Sequence, residues 1–427
     1  MPFKHSLLFD ASFESANLLS AVQRGPAEYD LFLRADLHTD GFMQWFYFGI
    51  TNTCPRDHLD SRHMNLTKPE SLFNTGMQPV IYSCADAAEH GIGWIRSGSH
   101  VEYRSNQYVR NGLNSSTADG ATYYTLSFTL AFDRSDDVYL IAHSYPYTYS
   151  DHKAHLASML RSLRKRRIVQ HALLCTTLDG QDCDLITITG DADELPPGIV
   201  ELSSSVPSFL RRKKTVILSA RVHPGETPAS WMMRGILDFL VGDSHEARIL
   251  RALFVFKIVP MLNPDGVLYG NNRCSLAGVD LNRQWKKPTK ALHPTIYHLK
   301  SLIRVERTQR EIALFCDLHG HSRKQNIFMY GCDDRRKPKP TVRVFPKLLS
   351  WNHLGQKYVS FADCSFHVRK SREGTGYITN SFTLEASFCG SDFGVLQNYH
   401  FNIDHFQEAG RSLCETLLDY CLPNSTQ

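Results

Sequence analysis

In the first third of the chain, apolar positions come in short runs. Residues 44–50, 101–104, 122–132 and 138–143 are rich in aromatic and β-branched side chains, with Gly, Pro, Asn and Asp falling between them. Runs of this length and punctuation predict β-strands, and together an all-β domain of the sandwich type. The texture changes near Tyr145-Pro-Tyr-Thr-Tyr149. Residues 153–167 then read as an amphipathic helix with a basic end. Beyond it, residues 184–189, 215–221, 254–262, 312–318 and 381–388 are apolar strand-like runs separated by helical patterns. Long apolar strands alternating with helices predict an α/β sheet covered on both faces. The expected organisation is an all-β sandwich domain over 1–150, followed by an α/β domain over 151–427.

Composition narrows the picture. Of 427 residues, 42% are hydrophobic, enough to bury cores and to exclude an intrinsically disordered chain. The formal charge of +4 is mild and tolerates an acidic substrate. Basic clusters at 164–167, 211–214 and 335–339 lack an accompanying nucleic-acid motif, so the expectation is no nucleic-acid partner. No apolar run approaches the roughly 20 residues of a bilayer span, and residues 1–14 do not read as a signal peptide. Eleven scattered cysteines, with no C-x-x-C, predict free thiols in a reducing compartment.

Twenty histidines prompt a metal search. His223-Pro-Gly-Glu226 follows an apolar strand and opens a helix predicted over 227–240. A strand-to-helix junction puts side chains at the sheet edge where α/β sites form. Residues three apart on a helical turn share a face. Two His and one Glu, with an open water position, form a catalytic zinc set. Chance also yields such spacings: His405-Phe-Gln-Glu408 and His152-Lys-Ala-His155 lie on predicted helices without a preceding strand and read as ordinary helix residues. The third ligand is sought at the end of another apolar run, Asp317-Leu-His-Gly-His-Ser322. There His319 alternates with Asp317, a carboxylate suited to orient an imidazole, and His321 is its rival.

Catalysis needs a base. Glu385 lies inside the apolar run 381–388, where a carboxylate is costly unless paired or functional. It is read either as a salt-bridged residue or as a general base for a metal-activated water. Asn263-Pro-Asp-Gly266 has the composition of a β-turn. Shortly after it come Arg273 and Asn282-Arg283, and arginine suits bidentate capture of a carboxylate. Together they would serve a peptidase that recognises a free C-terminus.

These motifs resemble those of the cytosolic carboxypeptidases, a branch of the zinc metallocarboxypeptidases. The match runs through His223-Pro-Gly-Glu226, Asn263-Pro-Asp-Gly266, Arg273-Cys-Ser-Leu-Ala-Gly-Val-Asp-Leu-Asn-Arg-Gln-Trp285, Asp317-Leu-His-Gly-His-Ser-Arg323 and Phe382-Thr-Leu-Glu-Ala-Ser387. Phe9-Asp-Ala-Ser-Phe-Glu-Ser15 and Tyr145-Pro-Tyr-Thr-Tyr149 resemble that branch's additional β domain. The resemblance implies a zinc carboxypeptidase-like mixed sheet with flanking helices, and one Zn2+ per chain on His223, Glu226 and His319. It implies Glu385 as general base, Arg273 as stabiliser of the carbonyl oxygen, and Asn282 with Arg283 as clamp for the C-terminal carboxylate. It further implies a cytoplasmic enzyme, associated with microtubules or cilia, that removes glutamates from acidic protein tails such as those of tubulin, with no membrane partner. One departure stands out. Gly374-Thr-Gly376 is followed by Tyr377 where the family pattern has Arg, and only eight residues separate Gly376 from Glu385. Arg372 or Lys370 could substitute for the missing cation. The alternatives are a carboxypeptidase for non-acidic C-termini and a catalytically impaired binder of microtubule tails.

Overall fold

The computed structural model describes residues 6–110, 121–162, 165–190, 213–333, 339–366 and 380–421. Gly374 to Tyr377, Lys370 and Arg372, and residues 164, 211–212 and 335–338 of the basic clusters lie outside them. Ten strands come first: β1 Leu8–Asp10, β2 Leu18–Gln23, β3 Glu28–Leu33, β4 Tyr47–Thr51, β5 His58–Leu66, β6 Val80–Ser83, β7 Ile95–Arg96, β8 Ser99–Val109, β9 Thr122–Ala131 and β10 Tyr139–Ala142. They form two five-stranded sheets, in the orders β1-β4-β10-β6-β7 and β2-β3-β5-β9-β8. All pairings are antiparallel except that of β3 with β5. Leu31, Leu59, Leu126 and Phe128 from one sheet meet Phe48, Ile50, Ile81 and Ile141 from the other in a shared core. This is the sandwich that the alternating apolar runs predict.

Seven further strands build a second architecture: β11 Val169–Thr176, β12 Asp182–Ile188, β13 Lys214–Ala220, β14 Phe254–Val259, β15 Ile312–His321, β16 Ile327–Gly331 and β17 Ser381–Ser387. Their order is β11-β12-β14-β13-β15-β17-β16. The four central strands run parallel, while β11, β12 and β16 pair antiparallel. The C-terminal ends of β13, β14, β15 and β17 therefore share one edge, the edge at which α/β proteins place their sites. On one face the helices Thr227–Leu240 and Ile403–Cys421 pack backbone to backbone, because a Cβ on Gly235 would sit 2.2 Å from Gln407 O and one on Gly410 would sit 2.0 Å from Met232 O. On the other face the helix Pro294–Gln309 sets Ile296, Leu299 and Ile303 against Ile217, Val259 and Phe315.

The sandwich is not an independent bead. Trp45 and Tyr47 belong to the core of the seven-stranded sheet. Ser15 binds Leu268 O through its N–H at 3.0 Å and Val267 O through its hydroxyl at 2.7 Å.

The connecting helix starts earlier than its periodicity suggests, spanning Tyr149–Arg161. Thr148 and Asp151 form a capping box that fixes its start. His152, the first member of the helical His pair, faces inward to Asp184 at 3.0 Å, while His155 meets Asp238 at 2.8 Å. Asp184 also receives His171 Nε2 at 2.7 Å and Lys153 Nζ at 3.0 Å. Burial would raise the Asp184 carboxyl, but these three partners overcome it and hold the group below the usual carboxylate range. Burial lowers His152 even against its carboxylate partner, so the imidazole acts mainly as a neutral N–H donor. A depressed carboxyl contributes stability above its unfolded value of 3.8 and loses that contribution as pH falls below it. Asp184→Asn is therefore expected to cost about 3 kcal/mol in urea unfolding at pH 7, and the gap from the parent should narrow as the titration is carried toward pH 3. A gap independent of pH would assign the cost to packing instead.

Candidate metal centre and active site

β13 ends at Ala220, and the chain turns sharply. Arg221 takes a left-handed φ of 58°, a conformation that costs a non-glycine residue about 1–2 kcal/mol. Its buried guanidinium holds the turn, donating to Pro224 O at 2.7 Å, Tyr147 O at 2.9 Å and Ser230 Oγ at 2.8 Å. Glu226 N then bonds to His223 O at 3.2 Å, closing a turn that brings the two side chains together. The shared face predicted from helical spacing is thus supplied by this turn, and Glu226 is the residue that caps the helix Thr227–Leu240. Asn263-Pro-Asp-Gly266 also differs from the expected β-turn. It opens a one-turn helix, Pro264–Leu268, capped by Asn263, because Val267 N reaches back to Asn263 O. Asn263 Nδ2 also donates to Val222 O at 3.2 Å, bracing the backbone beside His223.

His319 arrives on β15, next to the end of β13. His223 Nδ1 lies 2.8 Å from Glu226 Oε1, and His319 Nδ1 lies 2.8 Å from Glu226 Oε2. The ligand atoms of these three residues fall within 4.8 Å of one another, and they form the one such group among the described residues. Each imidazole is oriented from behind through Nε2, His223 by Asp280 Oδ1 at 3.1 Å and His319 by Asp317 Oδ2 at 2.8 Å. Both rings thus point Nδ1 inward, the arrangement in which a carboxylate behind the ring fixes a metal-binding nitrogen. The donor set of two imidazoles and one carboxylate suits zinc with a fourth position open. Burial alone would raise the Glu226 carboxyl, but the facing imidazoles hold it well below the usual range. His321 stands apart: its Nδ1 accepts from Lys324 N at 2.9 Å, and its ring packs on Phe328.

Glu385 is the register partner of His319 on the adjacent parallel strand β17, and it is buried. Paired residues on parallel strands project to the same face, so the carboxylate stands beside the metal group. Arg273 is held by Asp280, with Nε donating at 2.8 Å and a second contact at 2.6 Å. Asp280 also takes Asn282 N at 2.8 Å and lies 3.9 Å from Arg283. Burial opposes its charge, yet His223, Arg273 and Arg283 hold its carboxyl below the ordinary range. One carboxylate therefore links an imidazole, a guanidinium and the short helix Leu281–Arg283. Asn282 is buried, accepts from Trp285 Nε1 at 3.1 Å, and lines an open recess of about 360 Å³ with Phe315, Tyr330, Phe382 and Thr383. Arg283 is half-exposed.

Asp280, Arg221 and Asp36 went unmarked in the sequence. Asp36, from the sandwich, accepts Asn272 N at 2.5 Å and Arg273 N and Cys274 N at 2.7 Å, gripping the loop that presents Arg273. Asp280 carried a usable signal, since His223 needed a carboxylate behind it and Asp280 lies in the Arg273–Trp285 run. Asp36 and Arg221 carried none.

The zinc carboxypeptidase family profile matches residues 156–392. Cytosolic carboxypeptidase 2 of Xenopus tropicalis is 43% identical over 432 residues, covering 99% of this chain and 42% of that protein. The human protein of the same name is 42% identical over 432 residues, covering 99% and 45%. The chain thus spans less than half the length of these relatives. Among solved structures, a metallo-carboxypeptidase from Burkholderia cenocepacia superposes with a TM-score of 0.72 at 21% identity, over 97% of this chain and 99% of that one. A metallo-carboxypeptidase from Pseudomonas aeruginosa does so with a TM-score of 0.68, over 96% and 98%. These likenesses speak for the fold.

Proposed function

The chain belongs to the zinc carboxypeptidase family, in its cytosolic carboxypeptidase branch, and from that premise we propose that it is a metallocarboxypeptidase removing C-terminal or side-chain glutamates from acidic protein tails such as those of tubulin. The observation that carries the chemistry is the convergence of His223, Glu226 and His319. These residues would hold a single zinc ion. When bound, zinc supplies Lewis acidity and lowers the pKa of a water at the open position. Glu385 takes the proton of the attacking water and delivers it to the leaving amine. Arg273, fixed by Asp280, meets the charge that develops on the carbonyl oxygen. Asn282 and Arg283 take the C-terminal carboxylate. The acidic preference is supported by the branch's motifs and by a formal charge of +4. The same motifs support a cytoplasmic, microtubule- or cilium-associated setting, and among the described residues no helix is long and apolar enough to cross a membrane.

A second reading has its own observation. The recess beside Asn282, which would receive the released side chain, is lined by Trp285, Phe315, Tyr330 and Phe382, with no Lys or Arg among the described residues. That lining favours a carboxypeptidase for non-acidic C-termini. A panel of blocked peptides ending in Glu, Asp, Lys or Leu decides between the two. Glu-ending peptides are expected to be cut at least about tenfold faster than Leu-ending ones in kcat/KM, the discrimination a single charge contact supplies. Faster cleavage of the Leu peptide would replace the acidic reading with the second, and metal-loaded protein that cuts none of them would leave only a tail binder.

A further inference from the structure

A second recess, of about 330 Å³, opens on the other side of the metal group. Gln44, Lys68, His143, Glu226, Arg273 and Ser322 line it, and the first three come from the sandwich. Lys68 is presented by a held backbone: its N–H and that of Thr67 both donate to Gln44 Oε1, at 3.4 and 3.3 Å, and its carbonyl accepts from Tyr103 Oη. Its ammonium makes one hydrogen bond among the described residues, to Ser322 Oγ at 2.9 Å, just past β15. Among the described residues no carboxylate forms an ion pair with it. Burial draws its pKa down to about 8 against the pull of the Glu226 carboxylate in the same recess, and a further anion alongside would offset more of that desolvation. His143, buried in the same wall, leaves Nδ1 without a hydrogen-bond partner. A poorly solvated cation in a recess that Arg273 and Ser322 also line is the complement of an anionic oxygen ligand.

The position of the recess fixes which part of a substrate would reach it. On the proposed reading Asn282 and Arg283 hold the C-terminal carboxylate, so the recess at Asn282 receives the released residue. Arg273, which on that reading marks the scissile carbonyl, lines the Lys68 recess and not the one at Asn282, and the two recesses share no lining residue, so the Lys68 recess falls to the residue on the other side of the scissile bond. We propose that Lys68 is a specificity-determining residue whose ammonium binds the side-chain carboxylate of the residue preceding the scissile bond. The sandwich thereby reads acidity at that position. The inference rests on the carboxypeptidase reading but not on which residue is released.

The test uses zinc-loaded full chain and two blocked peptides differing at one atom group, one ending Ala-Glu-Glu and the other Ala-Gln-Glu. The parent should favour the first by about tenfold or more in kcat/KM, the scale of a partly buried charge contact. Lys68→Met should bring that ratio to within about twofold of unity, while Lys68→Arg, which keeps the charge, should retain most of it. The dissociation constants of Glu385→Gln protein for the two peptides, with and without Lys68→Met, should show the same collapse by calorimetry. If Lys68→Met does not fold, Lys68→Gln, which still donates to Ser322, gives the same reading. Parent enzyme indifferent to the Glu/Gln change, a ratio unaltered by removal of the charge, or an equal loss on both peptides would each overturn the proposal while leaving the carboxypeptidase intact. If the parent neither cuts nor binds this pair, the comparison is made on Ala-Glu-Leu and Ala-Gln-Leu with the same expected ratios, and failure on both pairs would strike the carboxypeptidase reading itself.

Discussion

Glu385→Gln is expected to lower kcat by on the order of 10³-fold, within the range for loss of a general base, with KM, zinc content and thermal stability close to the parent. The substitution changes one oxygen for an amide nitrogen and leaves volume almost unaltered. Nothing in the β17 ladder depends on the side chain, because its register with β15 and β16 is made by backbone groups. The chemical difference is decisive: a neutral amide cannot accept a proton at neutral pH. The strand makes the assignment specific. Ser381–Ser387 is buried at every position, and Glu385 is its sole ionisable residue. A carboxylate retained there bears a desolvation cost that packing alone does not justify. Rapid-quench turnover and metal analysis on the same preparation separate the effects. Residual activity above about a tenth of the parent would place the base elsewhere, since general-base contributions start near 10².

How much of this was legible in the sequence depends on the distance over which each feature is encoded. The long parallel strands were readable because burial on both faces makes them continuous apolar runs, and β13, β15 and β17 lie where those runs predict. Strands β1, β2, β3, β5, β6, β7, β11 and β16 were not: β1 and β7 have three and two residues, and β2, β5 and β11 carry polar or exposed positions that break up an apolar run. His223 and Glu226 were found for a reason the structure modifies: a turn locked by Arg221 unites them, where helical spacing had been invoked. The choice between His319 and His321 could not be made from spacing, as both lie on one strand face. It is the Asp317 contact behind one ring, and the Lys324 amide on the other, that separate them. Asp36 and Lys68 were invisible because their meaning lies in partners more than 200 residues downstream, Asn272 to Cys274 and Ser322. Of the basic cluster 211–214, Lys213 is bound to Thr189 Oγ1 at 2.9 Å and Arg251 O at 3.0 Å, and Lys214 pairs with Glu311 at 3.1 Å, ties within the fold.

His319→Ala is expected to abolish both zinc retention and turnover, whereas His321→Ala should keep the metal. Two ligands left from a set of three lose the chelate geometry that makes a site tight, and His319 contributes through Nδ1, already aimed at Glu226. His321 is committed to the Lys324 amide and lies outside the convergent group. The residues behind the rings extend the argument. Asp280→Asn leaves all three ligand atoms in place but weakens the orientation of His223, so zinc affinity should fall by about 10–100-fold, the usual effect of losing a carboxylate behind a metal-binding imidazole. The same change loosens Arg273, whose guanidinium is held by the other oxygen of that carboxylate, Oδ2. Asp280→Asn should therefore lower kcat even at saturating zinc. Asp317→Asn, which touches His319 and Ser219 but no arginine among the described residues, should lose affinity for zinc and recover most of its kcat when metal is restored. Zinc titrations by competition with a chromophoric chelator, run alongside kcat at saturating metal, resolve the two behaviours. Metal retained by His319→Ala and lost by His321→Ala would show that the other imidazole is the ligand. Equal recovery of Asp280→Asn and Asp317→Asn at saturating zinc would remove the link between Asp280 and Arg273 from the mechanism.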